Sequence, residues 1–274
     1  MDITQITPHV YACLNHNTTS NAGIILTGSG PIIVDTLNTP VAGRELAARA
    51  SGLAGSPPVL VINTHFHFDH TFGNQAFSAP IAGHESLAQT LATRYAAEFA
   101  PEEVASHIAE HPEDVWLRDD LRLVCPQISF LDRLTLDFGS PQVIVRHRGG
   151  HTPCLSIVHI LDEGVIFASD LLFMGRTPFL RFADDMERWI KSLRQIEAMG
   201  ASVIVPGHGE PAGIADVARF RQYLGDLWGE IRRMVRQGKS KEEVAQANLP
   251  RWGGGDRPAL QRANVEYLYD HSSG

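Results

Sequence analysis

Thr64-His65-Phe66-His67-Phe68-Asp69-His70 decides how this chain is read: three imidazoles and one carboxylate fall within six consecutive positions, directly after the apolar run Val59 to Ile62. Imidazole nitrogen with carboxylate oxygen suits zinc, iron or manganese, whereas calcium and magnesium sites are built mainly from oxygens. His65 and His67 are two residues apart, so on extended chain both side chains point to one side. Asp69 and His70 then come from the turn that follows and aim at a neighbouring point, so one strand end addresses two adjacent metals. Packing or a surface hydrogen bond accounts for many single histidines, but poorly for a whole cluster of ligand-type residues.

Moving outward, three later positions have the same character, each a polar residue at a strand end among residues that let backbone approach closely. They are His151 in Gly149-Gly150-His151-Thr152-Pro153, Asp170 in Phe167-Ala168-Ser169-Asp170, and His208 in Pro206-Gly207-His208-Gly209. Glycine tolerates conformations that strain other residues, which helps to set a ligand on a rigid turn. Each alone is equally an ordinary turn residue.

The elements around these positions alternate. Val10 to Leu14, Gly23 to Leu26 and Ile32 to Asp35 read as strands joined by Gly- and Pro-rich turns, followed by a helix over Pro40 to Leu53 and a buried strand over Pro58 to Thr64. Helical patterns cover His84 to Phe99 and Pro101 to Glu110, with a mixed stretch to Cys125. Strand-like runs follow at Leu134 to Phe138, Val143 to His147, Leu155 to Leu161 and Val165 to Ala168. Asp184-Asp185 caps a helix from Met186 to Met199, Ser202 to Val205 is a last strand, and helices at Ile214 to Gln237, Lys241 to Ala247 and Arg257 to Tyr269 finish the chain. Ser240-Lys241-Glu242-Glu243 is a capping box for the second of these. Two blocks of strands, each followed by helices, predict an αββα sandwich of two mixed sheets with helices on the outer faces. Residues 1–274 then form one domain, with 84–125 as a helical insertion and 211–274 as a C-terminal helical extension.

Composition narrows the partners. With 274 residues there is ample material for a buried core. A net charge of -8 argues against a broad phosphate-binding surface, so nucleic acid is excluded as a first reading. No apolar run approaches the roughly 20 residues that span a bilayer, and no basic-then-apolar leader opens the sequence. The expectation is a cytoplasmic protein with a small-molecule substrate, no membrane, and a second copy of the chain as the one macromolecular partner considered. The three widely spaced cysteines, Cys13, Cys125 and Cys154, do not suggest a disulfide framework.

Taken together, the His65–His70 cluster and the ordered His151, Asp170 and His208 resemble the metallo-β-lactamase-fold superfamily, whose HxHxDH signature the cluster matches; the likeness runs from about residue 20 to about residue 210. It implies that His65, His67 and His151 hold one metal, that Asp69, His70 and His208 hold a second, and that Asp170 bridges them. The implied cofactor is two divalent ions, zinc before iron or manganese. The implied reaction is attack on a carbonyl by a hydroxide shared between the metals, with Asp69 also moving the proton.

Departures from the superfamily's patterns shape the substrate expectation. Metallo-β-lactamases proper carry Cys or Ser in place of Asp170, which leaves β-lactam hydrolysis as at most a side activity. The C-terminal glutathione-binding residues of glyoxalase II have no match, and the acidic balance speaks against a tRNA-processing relative. A small ester, lactone or thioester is the expected substrate. The alternatives are a phosphoester hydrolase on the same centre and a mononuclear iron dioxygenase acting on persulfides. Phe68, Phe173, Arg176, Phe179 and His16 are the candidate substrate contacts, with Phe66 and Met174 beside them; the competing readings are plain core packing for the apolar residues and pairing of Arg176 and Arg181 with Asp184, Asp185 or Glu187. Cys154, where many relatives have Gly, reads as a small buried residue filling space rather than a ligand.

Overall fold

A computed structural model describes residues 1–15, 19–253 and 257–272. Strands β1 (Asp2–Gln5), β2 (Val10–Leu14), β3 (Ala22–Thr27) and β4 (Gly30–Val34) form an antiparallel meander. Helix α1 (Pro40–Ala54) starts where Thr39 accepts a hydrogen bond from the Ala42 N–H at 3.1 Å, with proline in its first turn, and stops at Gly55 in the left-handed region. It returns the chain to β5 (Leu60–Ile62), a wholly buried three-residue strand parallel to β4. The HxHxDH stretch begins three residues later, at His65, and passes into the short helix α2 (Phe68–Thr71). Asp69 and His70 therefore sit on a helical turn, where the sequence suggested an irregular one.

After α2 come β6 (Ile81–His84), α3 (Glu85–Glu98), α4 (Pro101–Glu110), α5 (Trp116–Asp119) and β7 (Ile128–Phe130). Helices α3 to α5 occupy the stretch 84–125 and are tied at both ends to the first sheet, because β6 and β7 pair in parallel through Ala82↔Ile128 and His84↔Phe130. Neither strand, nor β1, stands out in the sequence: runs of three or four residues are too short to show alternation, and Gly83 and His84 weaken the β signal. The first sheet has the order β1-β2-β3-β4-β5-β6-β7.

The second sheet is built from β8 (Arg133–Leu136), β9 (Val143–His147), β10 (Ser156–Ile160), β11 (Val165–Phe173) and β12 (Val203–His208), with α6 (Met186–Glu197) between the last two. Its order is β12-β11-β10-β9-β8, antiparallel except for the β11–β12 pair. Helices α7 (Ile214–Arg236), α8 (Lys241–Ala245) and α9 (Pro258–Asp270) follow. β11 runs five residues past its expected end at Ala168, so Asp170 lies within the strand, beside register shifts at Phe167/Ser169 and Ser169/Phe173.

Side-chain alternation sorts the core into layers. Val10, Ala12, Ile25, Ile32, Val34, Val145, Val158 and Val165 fill the space between the sheets, while Ile24, Ile33 and Val61 pack outward with Leu46 and Ala50 of α1. The outer face of the second sheet buries Ile166, Ala168 and Ile204 against Trp189 and Leu193 of α6, Phe220 and Leu224 of α7, and Val265 of α9. The result is the expected αββα sandwich of two mixed sheets. Trp189 is fully buried and donates its indole N–H to the Leu171 carbonyl at 2.9 Å; truncation to alanine is expected to cost about 3–5 kcal/mol. The three cysteines are unpaired, with Cys154 buried beside Phe66, Phe72 and Leu91 as the packing reading has it. Among the described residues no helix is long and apolar enough to cross a membrane.

Candidate metal centre

The donors converge at one edge of the sandwich, past the ends of β5 and β9, within β11 and at the last residue of β12. His65, His67, His151 and Asp170 offer donor atoms within 4.8 Å of one another, and so do Asp69, His70 and His208. In the first group His67 Nδ1 lies 3.0 Å from His65 Nε2 and 3.1 Å from His151 Nε2, and Asp170 Oδ2 lies 3.3 Å from His151 Nε2. A tetrahedral ion with ligands about 2.0–2.1 Å away spaces its donors about 3.3 Å apart, so these edges fit one zinc-sized ion. In the second group Asp170 Oδ1 is 3.2 Å from His70 Nε2 and 3.5 Å from His208 Nε2, and Asp69 Oδ2 is 3.4 Å from His208 Nε2. The two oxygens of Asp170 thus face different groups, the arrangement a bridging carboxylate needs. His70 Nε2 and Asp170 Oδ1 are buried without a hydrogen-bond partner, which a cation between them would satisfy.

Which ring nitrogen faces the centre is set by the residues behind the rings. His70 Nδ1 is 2.7 Å from Asp35 Oδ2, the same oxygen that accepts the Thr64 hydroxyl at 2.7 Å, while Asp35 Oδ1 accepts the Thr64 N–H at 2.8 Å. Thr64 Oγ1 in turn lies 3.1 Å from His65 Nδ1, so one carboxylate orients ligands of both groups. Asp35, just past β4, has φ 59°, and Ser169 beside Asp170 has φ 49°; such backbone persists in non-glycine residues only where surrounding contacts hold it. His208 Nδ1 can donate to the Thr19 carbonyl at 3.3 Å. Asn21 clamps the loop that carries His208, donating through Nδ2 to the carbonyls of Pro206 at 3.0 Å and Gly209 at 2.7 Å. Gly207 is required: a Cβ there would stand 1.8 Å from Asp170 Oδ1.

Electrostatics separates the groups. Burial, then the neighbouring imidazoles, holds His65 and His67 well below the ordinary histidine value, so both stay neutral and able to bind metal. Burial also opposes charging of His70, but Asp35, Asp170 and Asp69 outweigh it and raise that imidazole well above its ordinary value. Burial would raise Asp170, yet His208 and His70 dominate and keep it ionised.

The centre opens into a cavity of about 440 Å³. Of the candidate substrate contacts, Phe68, Phe173, Arg176 and Phe179 all line it, and His16 lies outside the described residues. Phe68 is half exposed at the mouth, Phe173 stacks on the His208 ring at 5.1 Å and 12°, and Phe179 meets His67 edge-on at 6.2 Å. Phe66 also lines it, whereas Met174 packs into the core. The pairing considered for Arg176 and Arg181 is not what forms: Arg188 takes Asp184, Arg232 takes Glu187, and Asp185 caps α6. Arg176 Nη1 instead lies 3.2 Å from His208 Nδ1, and Arg181 covers the Phe179 ring at 5.0 Å. Further lining residues missed in the sequence are Arg94, whose guanidinium sits 4.3 Å over Phe182, Tyr95, Phe182 and Arg257. Nothing in their local sequence marks them. Asp35 had a signal, a carboxylate ending a buried apolar run, which is the context that singled out Asp170.

Five imidazoles and two carboxylates gathered in two groups at the edge of an αββα sandwich define a metallohydrolase scaffold with two candidate metal sites. The chain belongs to the metallo-beta-lactamase superfamily, whose model matches residues 17–208. Among curated relatives it is 26% identical over 183 residues to an acyl-coenzyme A thioesterase MBLAC2 from Bos taurus, covering 65% of this chain and 64% of the relative. It is 23% identical over 270 residues to a linear primary-alkylsulfatase from Pseudomonas sp. (strain ATCC 19151), covering 85% of this chain and 50% of that one. The chain thus spans less than two thirds of the length of either. Among solved structures, the stereoselective inverting sec-alkylsulfatase Pisa1 from Pseudomonas sp. superposes with a TM-score of 0.76 at 15% identity, over 99% of this chain and 50% of that one, a likeness of fold.

Proposed function

We propose that this chain is a two-zinc hydrolase of thioester or ester bonds whose substrate carries an apolar acyl part. The observation that carries the reading is the placement of both donor groups at the floor of a cavity walled by Phe66, Phe68, Phe173, Phe179 and Phe182. A nitrogen-rich donor set completed by carboxylates supports zinc. Two such ions supply Lewis acidity and a water activated at neutral pH.

The chain's own residues supply the rest. Asp170 sets the spacing of the two groups through its two oxygens, and Asp35 fixes His70 directly and His65 through Thr64. Asp69 is the least buried carboxylate of the centre and lines the cavity, which suits it to take up a proton at Oδ2 and return it to a leaving group. The phenylalanines hold the apolar part and exclude water. Similarity to the acyl-coenzyme A thioesterase supports a thioester over a lactone.

A second reading, cleavage of a sulfate- or phosphate-type ester, is favoured by Arg176 at the metal end of the cavity and by the similarity to the alkylsulfatase. The second donor group supports two ions over the single iron of a persulfide dioxygenase. Protein loaded with two zinc ions per chain, assayed on acyl thioesters, aryl esters, lactones, alkyl sulfates and phosphodiesters, tests these readings. Turnover of thioesters and esters is expected. Turnover confined to sulfates or phosphodiesters would select the second reading, and one iron per chain with no hydrolysis would overturn both.

A further inference from the structure

Away from the metal centre, the outer face of the second sheet carries a group of basic side chains whose hydrogen bonds, from Arg133 Nε to Thr135 Oγ1 at 3.1 Å and from Arg148 Nη1 to the His147 carbonyl at 3.0 Å, involve no carboxylate. Val143, Val145, Val158 and Ile160 of β9 and β10 point between the sheets, so the alternating residues Arg146 and His159 point outward. Arg133 of β8 is directly opposite Arg146 in the register and shares its face. Arg148 continues the alternation just past the end of β9. Like charges placed directly opposite on a sheet destabilise it, so this arrangement calls for a compensating partner.

No carboxylate provides one. Arg146 Nε, Arg148 Nε and His159 Nδ1 are buried atoms without a hydrogen-bond partner, and His159 is only 8% exposed. None of the four residues forms an ion pair with an acid among the described residues, although Asp and Glu outnumber Lys and Arg by 31 to 23 in the chain. Several arginines elsewhere on the surface are matched, as Arg44 with Asp120, Arg221 with Glu197 and Arg262 with Glu242. Burial, then Arg133, lowers the Arg146 guanidinium from its ordinary value; burial and Arg146 lower Arg148; burial, Arg146 and Arg148 lower His159. The register sets Arg133 of β8 opposite Arg146, and Arg146 opposite Ile157 of β10, two residues from His159 on the same face.

We infer that Arg133, Arg146, Arg148 and His159 form an anion-binding site on the outer face of the five-stranded sheet, suited to a phosphate-type oxyanion. Guanidinium forks match tetrahedral oxyanions in geometry, and a dianion would neutralise the opposed arginines. The phosphate can be a free ion or a group carried on a larger molecule. The site stands apart from the metal centre and does not rest on the proposed reaction.

Titration of the metal-loaded protein with inorganic phosphate, followed through the His159 ring proton in NMR and assigned with His159→Gln, tests the site. A saturable shift is expected, weakening as salt rises. Arg146→Gln should weaken binding about tenfold, and Arg146→Gln with Arg148→Gln should abolish the shift. Phosphate bound at the metal ions is common to all variants, so the difference between them isolates this face. A parallel titration with adenosine 5′-phosphate separates the sources: tighter binding than the free ion indicates a carried phosphate, and equal or weaker binding the free ion. In phosphate-free buffer Arg146→Gln should melt no lower than the parent, because it relieves repulsion. A His159 signal unmoved by phosphate, an equal shift in the double variant, or a clear fall in the melting temperature of Arg146→Gln would overturn the inference.

Discussion

The two halves of the metal centre are built from different material. Three buried imidazoles surround one oxygen of Asp170, while the other oxygen faces His70, His208 and a carboxylate, Asp69, on the cavity wall. In the first half, burial and neighbouring imidazoles hold His65 and His67 neutral. In the second, three aspartates draw a proton onto His70, which a metal must displace. One half is a receptor ready over the acid range; the other is linked to pH and to its neighbours. The same fold edge thus yields two sites of unequal character.

Removing the shared element should have the largest effect. Asp170→Asn is expected to lower turnover about a thousandfold or more and to reduce bound metal, with circular dichroism unchanged. Full activity in that variant would end the bridging assignment. Asp35→Asn comes next: it takes the charge from behind His70 directly and from behind His65 only through Thr64. Metal affinity should fall about 10- to 100-fold, more in the second half than in the first. Equal weakening of both ions, measured by competition with a chelator, would remove the asymmetry.

Acidification is a gentler probe of the same difference. Because His70 is raised, protons compete with metal there through the neutral range, and affinity of the second half should increase with pH. His65 and His67, being lowered, admit competition only well below the ordinary histidine value of 6.5. Elemental analysis after dialysis at falling pH should therefore find two ions per chain, then one, then none. Simultaneous loss of both would contradict the comparison. The smallest effect is expected from Arg176→Gln, which removes a cation lining the cavity beside His208. It should raise KM about tenfold for an anionic substrate and leave an uncharged one nearly unchanged, with kcat little affected in either case.

The metal donors were legible because ligand chemistry is local: two histidines and an aspartate-histidine pair within one heptad of residues, His151 and His208 beside glycines, and Asp170 closing an apolar run carry their meaning without a fold. The sandwich was legible because β2 to β5 and β8 to β12 are apolar enough to show their period. Strands β6 and β7 were not, being three or four residues long and recognisable only by pairing with each other. The competing ion-pair reading of Arg176 failed for a related reason. Sequence proximity favoured Asp184 and Glu187 as its partners, yet α6 aims those carboxylates at Arg188 and at Arg232 of α7.

By itself the sequence determined which atoms could bind metal, their order along the chain, and the layered architecture able to collect them. Only the tertiary structure decided the distances. His151, Asp170 and His208 reach the first cluster because the two sheets pack face to face, and Asp35 becomes the common anchor because β4 lies beside β5. The cavity wall likewise exists only once α3 and the 176–182 loop meet over the centre. Donor identity is a property of single side chains; spacing, burial and charge are properties of the packed sheets around them.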